Sequence, residues 1–541
     1  MAWWDDLRMY GRFARKLPAF LAGHDTPEAG RALLAERLAS RESRFLAIAE
    51  SSIYGHPRSP YLPLLAAAGC ELGDLRAMVA REGLESTLGD LRRAGVYVRF
   101  EQLKGREPMV VAGREIAVGP EEFFRPNLRR HLESASSGST GRRTKNPVDL
   151  DHKAARSAVS MAIAEAQGVL RLPKGRIGGS LPESTSFGGA LAGGRGANVA
   201  ERWWTPVLSP PRKTELRFRV AHHLVVTLAR LYGVRVPKPE PLPIGEVERV
   251  ARWAAATVAA RGACVVSGTP SMALRVAVAA RHAGIDLAGT LFTVNGEPLT
   301  AAKAAGIEAA GARVLANYSM SEVGRVGAGC LAPVGVNDQH LMTDHLAVIQ
   351  GRREVGDRAV DALLLTTLLP TSPRVLLNVE IDDYGVVEER RCGCPLDALG
   401  LHTHVRDVRS FKKLTAEGVT LVGSEMEHVL ESVLPQRFGG SALDYQLVEE
   451  EDEQGFTRIT LCVSPSVRLA DEHAVIAAVL EGLTKASISA DLAVRLWNQT
   501  GAIRVRRVEP TIGARGKLQP LRSERRTETR LSPPQPKAAV R

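Results

Sequence analysis

Six cysteines in 541 residues, at positions 70, 264, 330, 392, 394 and 462, are too few and too irregularly spaced for a disulfide framework, which points to a reducing, cytoplasmic setting. Aromatic residues supply only 5% of the chain, and no zinc-finger or RNA-binding signature occurs, so no nucleic-acid partner is expected. Long apolar runs are also missing. Even the Ala/Val-rich stretch 251–283 is broken by Arg252, Arg261, Arg275 and Arg281, short of the roughly 18 uninterrupted apolar residues of a membrane span. Asp5, Asp6, Arg8 and Arg12 likewise interrupt any secretory apolar run near the N-terminus. A phosphate loop of the G-x4-G-K-[ST] type is absent.

What is present is the balance of a globular protein, 44% hydrophobic and 24% charged, with length for several domains. The excess of 71 Lys and Arg over 60 Asp and Glu gives a net charge of +11, which suits a polyanion such as a nucleotide or CoA. Residues 523–541 are polar, basic and Pro-rich, which predicts a disordered tail. Trp3 and Trp4 predict a helix docked on the body.

Residues 1–130 read as a helical lead-in, with the Ala/Leu/Arg run 30–50 and the segment 74–94 as helices, and they offer no evident chemistry. Residues 262–318 alternate between periods. Ala263-Cys264-Val265-Val266 reads as a buried strand, 271–282 as a helix after the Thr269-Pro270 cap, Thr290 to Val294 as a strand, 299–310 as a helix closed by Gly311, and Arg313 to Ala316 as a strand. Strand-helix-strand-helix-strand implies a parallel sheet with ligands beyond its carboxyl ends, at the loops 295–298 and 317–324. The fold class is therefore α/β, a large N-terminal domain with doubly wound, mostly parallel sheets followed by a small mobile α+β domain. The expected divisions are 1–130 (lead-in), 131–410 (core), 411–522 (small domain) and the tail.

The run Ser136-Ser137-Gly138-Ser139-Thr140-Gly141-Arg142-Arg143-Thr144 precedes a helical pattern at 155, 158, 159, 162 and 166. Accessible backbone N–H groups, hydroxyls and two arginines suit a polyphosphate, and a flexible polar linker is the plain alternative. The loop resembles the Ser-Ser-Gly-Thr-Thr-Gly-x-Pro-Lys phosphate motif of the adenylate-forming superfamily, which holds acyl- and aryl-CoA synthetases, luciferases and peptide-synthetase adenylation domains. Other motifs of that superfamily follow in order through residue 517. Gly296-Glu297-Pro298 resembles the loop that passes the adenine. Asn317-Tyr318-Ser319-Met320-Ser321-Glu322 resembles the Tyr-Gly-x-Thr-Glu motif, whose Tyr stacks on adenine and whose Glu helps to hold Mg²⁺. The segment 377–385 resembles the one whose Asp accepts both ribose hydroxyls. That role falls to Asp383, with Asp382 as the alternative, since Asn378-Val379 stand where the family has Arg-Tyr. Arg409 and Gly418 keep the spacing of the family's nucleotide-contacting Arg and the Gly of its post-hinge loop, and Lys517 in Gly513-Ala514-Arg515-Gly516-Lys517 resembles its adenylation lysine.

The resemblance implies ATP, Mg²⁺ and a small carboxylic acid as reactants, with CoA or a carrier-protein phosphopantetheine as acceptor. An amine or other nitrogen or oxygen nucleophile, activation of a small anion, and a non-catalytic binding relative are the alternatives. The Cys-x-Cys at 392–394 and the Gly-Glu-Pro at 296–298 point to its phenylacetate-CoA ligase-like branch. Arg143 in place of the motif Pro, Ser319 in place of Gly, and the long lead-in set the chain apart. Trp203, Trp204, His222 and His223 are either core residues or pocket lining. Cys330, Cys392 and Cys394 with His340 form a candidate structural zinc set, for whose fourth place His402 and His404 compete, and buried free cysteines are the alternative.

Overall fold

The computed structural model describes residues 2–135, 145–178, 195, 199–206, 227, 230–231, 237–355, 358–410, 413–416, 419–422, 426, 429–486, 497, 499–511 and 521–524. The Ser136–Thr144 loop, His222, His223, Gly418, Lys517 and residues 525–541 of the basic tail lie outside the described residues, whereas Ser523 and Glu524, expected in a disordered tail, close the strand Leu521–Glu524.

Cys264-Val265-Val266 is buried on both faces, as a central strand of a parallel sheet must be. It belongs to a six-stranded, wholly parallel sheet in the order Arg313–Ala316, Thr290–Val294, Cys264–Gly268, Lys174–Ile177, Arg202–Pro206, Pro239–Leu242. The strand order reverses between Lys174–Ile177 and Cys264–Gly268, which makes that junction the switch point of a doubly wound sheet. Local chemistry sets the turns. The Thr269 side chain accepts from the Met272 N–H and Pro270 opens the helix Pro270–His282, and Thr300 caps Ala301–Glu308 in the same way. The strand and helix order expected over 262–318 is the order found.

The second sheet departs from the expected mostly parallel architecture. Its seven strands run Tyr318–Met320, Gly324–Gly329, Gln339–Leu341, Thr403–Ser410, Val379–Glu389, Arg358–Thr367, Leu346–Val355, and every pair is antiparallel. The long hairpin of the last two strands sets this sense, because strands joined by so short a connection can only pair antiparallel. Phe45, Leu75 and Leu88 of the helical lead-in share one apolar core with Leu363, Leu365 and Val379 of this sheet. Asn378 pins the two together: at φ +48° its Nδ2 donates to the Leu88 and Val96 carbonyls at 2.8 and 3.1 Å. That is a reason for Asn where the resembled motif has Arg.

The sheet ends at Ser410, beside the division expected near Arg409. Beyond it, Ile503–Arg507, Thr457–Val463, Tyr445–Glu451 and Leu521–Glu524 form a four-stranded mixed sheet with its own core around Tyr445, Leu461, Val479 and Trp497. Among the described residues no helix is long and apolar enough to cross a membrane.

Trp203 and Trp204 are 1% and 2% exposed, so both are core residues. Trp204 meets Trp253 edge to face, with ring centroids 5.3 Å apart, over Gly175 of the central strand. A Cβ on Gly175 would lie 2.7 Å from Trp204 and 2.8 Å from Trp253, closer than van der Waals contact allows. Gly175→Ala is expected to cost about 1–3 kcal/mol, read as a lower midpoint in thermal or urea unfolding. An unchanged midpoint would show that the rings repack freely.

Candidate functional site

The carboxyl end of the parallel strand Arg313–Ala316 runs into Asn317, whose N–H donates to the Val294 carbonyl at 2.8 Å, and then into the hairpin of Tyr318–Met320 with Gly324–Gly329. The chain thus crosses from the parallel sheet to the antiparallel one within a single residue. Tyr318, Ser319, Ser321 and Glu322 are carried on that crossing, beside the 295–298 loop.

The Tyr318 hydroxyl donates to Asp383 Oδ2 at 2.6 Å. Burial and the Asp383 charge push the Tyr318 phenol well up, so it stays a neutral donor. Asp382 is 1% exposed in left-handed backbone at φ +61°, whereas Asp383 is half-buried and faces Tyr318. Of the two aspartates left open by the sequence, Asp383 is the one in the Tyr318 site. Arg409 lines a cleft together with Pro298, Thr300, Asn337 and Asp407, so the Gly-Glu-Pro loop and the arginine lie on the two sides of one opening.

Glu297 is turned inward. Its carboxylate accepts from the Ser271 N–H at 3.1 Å and hydroxyl at 2.7 Å and pairs with Lys303 Nζ at 3.0 Å, with both side chains of the pair fully buried. The Lys303 charge holds the Glu297 carboxyl low against the effect of burial. The Glu297 carboxylate is thus spent on anchoring the loop to the helix Pro270–His282, and what the loop presents to a ligand is backbone around Gly296, at φ +87°.

Glu322 is also buried, and its partner comes from the lead-in to which the sequence assigned no chemistry. Lys104 Nζ lies 2.5 Å from Glu322 Oε1, and the Ser321 hydroxyl donates to Oε2 at 2.9 Å. Against burial, which would raise it, the Lys104 charge holds the Glu322 carboxyl at about 2, with help from the Arg374 guanidinium. Lys104 itself is pushed down, because the loss of hydration outweighs its attraction to Glu322. Desolvation of both ions is the larger quantity in a buried pair. The pair orients Glu322 more than it stabilises the fold. Arg374, 1% exposed, stacks over the Phe124 ring at 4.5 Å. Neither cation sits in a recognisable motif, and 218 positions separate Lys104 from Glu322, so no local signal reveals the contact.

The cysteine cluster assembles as expected. The ligand atoms of Cys330, His340, Cys392 and Cys394 all lie within 4.8 Å of one another. His340 Nε2 is 3.2 Å from Cys394 Sγ and 3.6 Å from Cys392 Sγ, and Cys330 Sγ is 3.7 Å from Cys392 Sγ. His340 Nδ1 is 2.6 Å from the Leu401 carbonyl, which takes the ring proton and leaves the Nε2 lone pair aimed at the sulfurs. The backbone N–H groups of Ala332 and Cys394 point at Cys330 and Cys392 Sγ, as thiolates require. Three sulfurs and one imidazole fit a closed tetrahedral zinc set. Of the competitors, His402 Nδ1 bonds Asp397 at 2.5 Å, while His404 Nδ1 bonds Asp338 at 2.8 Å in a second group, Cys330, Asp338 and His404, whose ligand atoms also lie within 4.8 Å of one another.

No known family's sequence profile and no curated protein sequence matches the chain. Solved structures do. A 2-hydroxyisobutyryl-CoA ligase, solved with 2-HIB-AMP and CoA in its thioesterification state, is 18% identical over 91% of this chain and 90% of its own, with a TM-score of 0.54. An o-succinylbenzoate CoA synthetase from Bacillus subtilis (12% identity, 76% and 71% coverage) and a variant amide bond synthetase from Marinactinospora thermotolerans (14%, 94% and 97%) match with TM-scores of 0.40.

Lys104→Met leaves Glu322 buried without its counter-charge and is expected to lower stability by about 3 kcal/mol, with Glu322→Gln in the same chain restoring most of it. Because the Glu322 carboxyl is depressed, the paired state's contribution is complete above pH about 4.5 and is lost as pH falls towards 2. A double-mutant cycle in urea checks this, and additive losses would show that the two groups do not interact. With its parallel sheet and the crossing at Asn317, the chain shares the fold of that 2-hydroxyisobutyryl-CoA ligase.

Proposed function

We propose that this chain activates a small carboxylic acid with ATP and then passes the acyl group to a thiol, that of CoA or of a carrier-protein pantetheine. The observation that carries the reading is the meeting of Tyr318 with Asp383, two positions from separate motifs of the one resemblance and 65 residues apart, at the carboxyl edge of the parallel sheet. In the first half-reaction a substrate carboxylate oxygen attacks the α-phosphorus of ATP and pyrophosphate leaves. In the second a thiolate attacks the acyl carbonyl and AMP leaves. Catalysis of this kind is placement and charge neutralisation. Asp383 would accept the ribose hydroxyls, the Tyr318 ring would flank the base, and Arg409 would reach the ribose and phosphates. Mg²⁺ would supply further charge neutralisation at the phosphates, and Glu322 is the residue that would hold it. The Ser136 to Gly141 loop, Gly418 and Lys517 take the roles that the resemblance gives them.

The phenylacetate-CoA ligase-like assignment rests on Cys392-x-Cys394 and Gly296-Glu297-Pro298. Zinc bound by Cys330, His340, Cys392 and Cys394 would tie the turn after Gly324–Gly329, on the Glu322 hairpin, to the turn after Val379–Glu389, on the Asp383 strand.

ATP–pyrophosphate exchange over a panel of acids tests the activity, and CoA, carrier proteins and amines added in turn identify the acceptor. Lys517→Ala should lower exchange by roughly 10²–10³ while leaving a presynthesised acyl adenylate reactive with the acceptor. Unchanged exchange in that variant would remove Lys517 from the site. Protein purified without chelator should carry about one zinc per chain, and Cys392→Ser should lose the metal and melt at a lower temperature. Metal-free protein, with Cys392→Ser melting as wild type, would leave the cysteines as core residues.

A further inference from the structure

The hairpin of Tyr445–Glu451 and Thr457–Val463 in the small-domain sheet ends in a turn that seats on the large domain. Asp452 shapes that turn. Its Oδ1 accepts from the Gln454 and Phe456 N–H groups at 3.0 and 2.9 Å, and Arg458 Nε donates to its Oδ2 at 2.8 Å. Phe456 is 5% exposed and belongs to the apolar core of the parallel sheet, with Phe292 and Ile307, while the Arg275 guanidinium lies over its ring at 4.8 Å. Gly455, at φ +84°, lies so close to the helix Ala301–Glu308 that a Cβ there would come within 3.0 Å of the Ala302 backbone. Two side chains next to the Gly-Glu-Pro loop complete the junction. The Thr300 hydroxyl donates to Glu451, and Lys303 Nζ, besides pairing with Glu297, donates to the Thr457 hydroxyl at 2.9 Å. Lys303 and Thr457 are 0% and 1% exposed, so the turn is part of what keeps water from the ammonium.

The same segment borders the opening. Pro298, Leu299 and Thr300 line it together with Arg409, and Glu297 anchors their loop from within through Ser271. We propose that Lys303 is a positioning residue that couples this opening to the docking of the small domain, so that a nucleotide in the opening and the seated Asp452–Thr457 turn favour one another. The inference rests on the proposed nucleotide site and names its regulation. The physical link is the medium around one ion pair. A seated turn excludes water from Lys303 and Glu297, which strengthens their attraction and holds residues 296–300 in the position that lines the opening. When the turn leaves, the ammonium loses the Thr457 acceptor, water reaches it, the pair weakens and the loop is held less tightly. Linkage makes the effect reciprocal, since a ligand that prefers the held loop must tighten the docking by the same factor. Thr300 adds a direct connection, because it both lines the opening and bonds Glu451.

The test uses the full chain and α,β-methylene-ATP with magnesium, a nucleotide that resists cleavage at the α-phosphorus. Calorimetry gives its Kd, and amide hydrogen exchange over residues 445–463 is followed with and without it. Phe456 and Thr457 are not among the residues lining the opening, yet Phe456→Ala and Thr457→Val should each raise the Kd about 5- to 20-fold. Thr457→Ser, which keeps the hydroxyl, should stay within about twofold of wild type. In the wild type the nucleotide should slow exchange across the hairpin about threefold or more, and in Thr457→Val that slowing should shrink. A Kd unchanged in both variants overturns the inference, and a lowered melting temperature beside it would make the turn a packing contact only. Exchange across the hairpin that does not respond to bound nucleotide overturns it as well. A wild-type chain that binds no nucleotide would instead sink the proposed activity itself.

Discussion

A carboxylate taken out of water must find a counter-charge, and at Glu322 that requirement joins the two ends of the large domain. The partner, Lys104, arrives on the far end of the helical lead-in and closes a contact across 218 residues. For this to happen the helices must be seated on the antiparallel sheet, which Asn378 and the shared core of Phe45, Leu88 and Leu363 accomplish. The ammonium gains little net energy from the pair, so what the contact supplies is position: it fixes the Glu322 hairpin, and with it the strand that carries Tyr318. The lead-in is thereby a working part of the site rather than an appendage to it.

The parallel sheet was legible because its signals are local. Apolar runs of strand length, Thr caps at 269 and 300 and the Gly311 turn each act within a few residues, and together they give the order found between residues 262 and 318. The antiparallel sheet was not, because its strands carry no uniform period. Leu363, Leu364 and Leu365 are consecutive and all buried, the lead-in core covering one face of a strand that a period-two reading would leave half exposed. The same division holds within the site. Tyr318 and Asp383 stand in motifs with order and spacing, whereas Lys104 and Arg374 matter only through the fold, and Glu297 shows the converse, a motif residue whose carboxylate the fold uses internally.

The cysteine cluster was legible for a different reason: donor chemistry is scarce. With six cysteines in the chain, three of them falling near two site segments is informative even without a specific spacing. The sequence could not choose among three histidines, since all three engage Nδ1 and the choice depends on where Nε2 falls. His340 gives Nδ1 to a backbone carbonyl and has Nε2 3.2 and 3.6 Å from the sulfurs of Cys394 and Cys392. A second bond of this kind sets the tautomer before any metal arrives, so the imidazole pays no reorientation on binding.

The net charge of +11 invites a picture of a basic surface awaiting a polyanion. Part of that excess is interior. Lys153, Lys174 and Arg325 hold charge where water is scarce and no acidic side chain among the described residues lies within ion-pair distance, and a field of that kind is weakly screened and strongly dependent on geometry. A surface patch attracts any anion and weakens with salt. Cations fixed in the interior are shielded from salt and act on their neighbours rather than on passing ions, so the total charge in the sequence overstates what the surface presents to a polyanion.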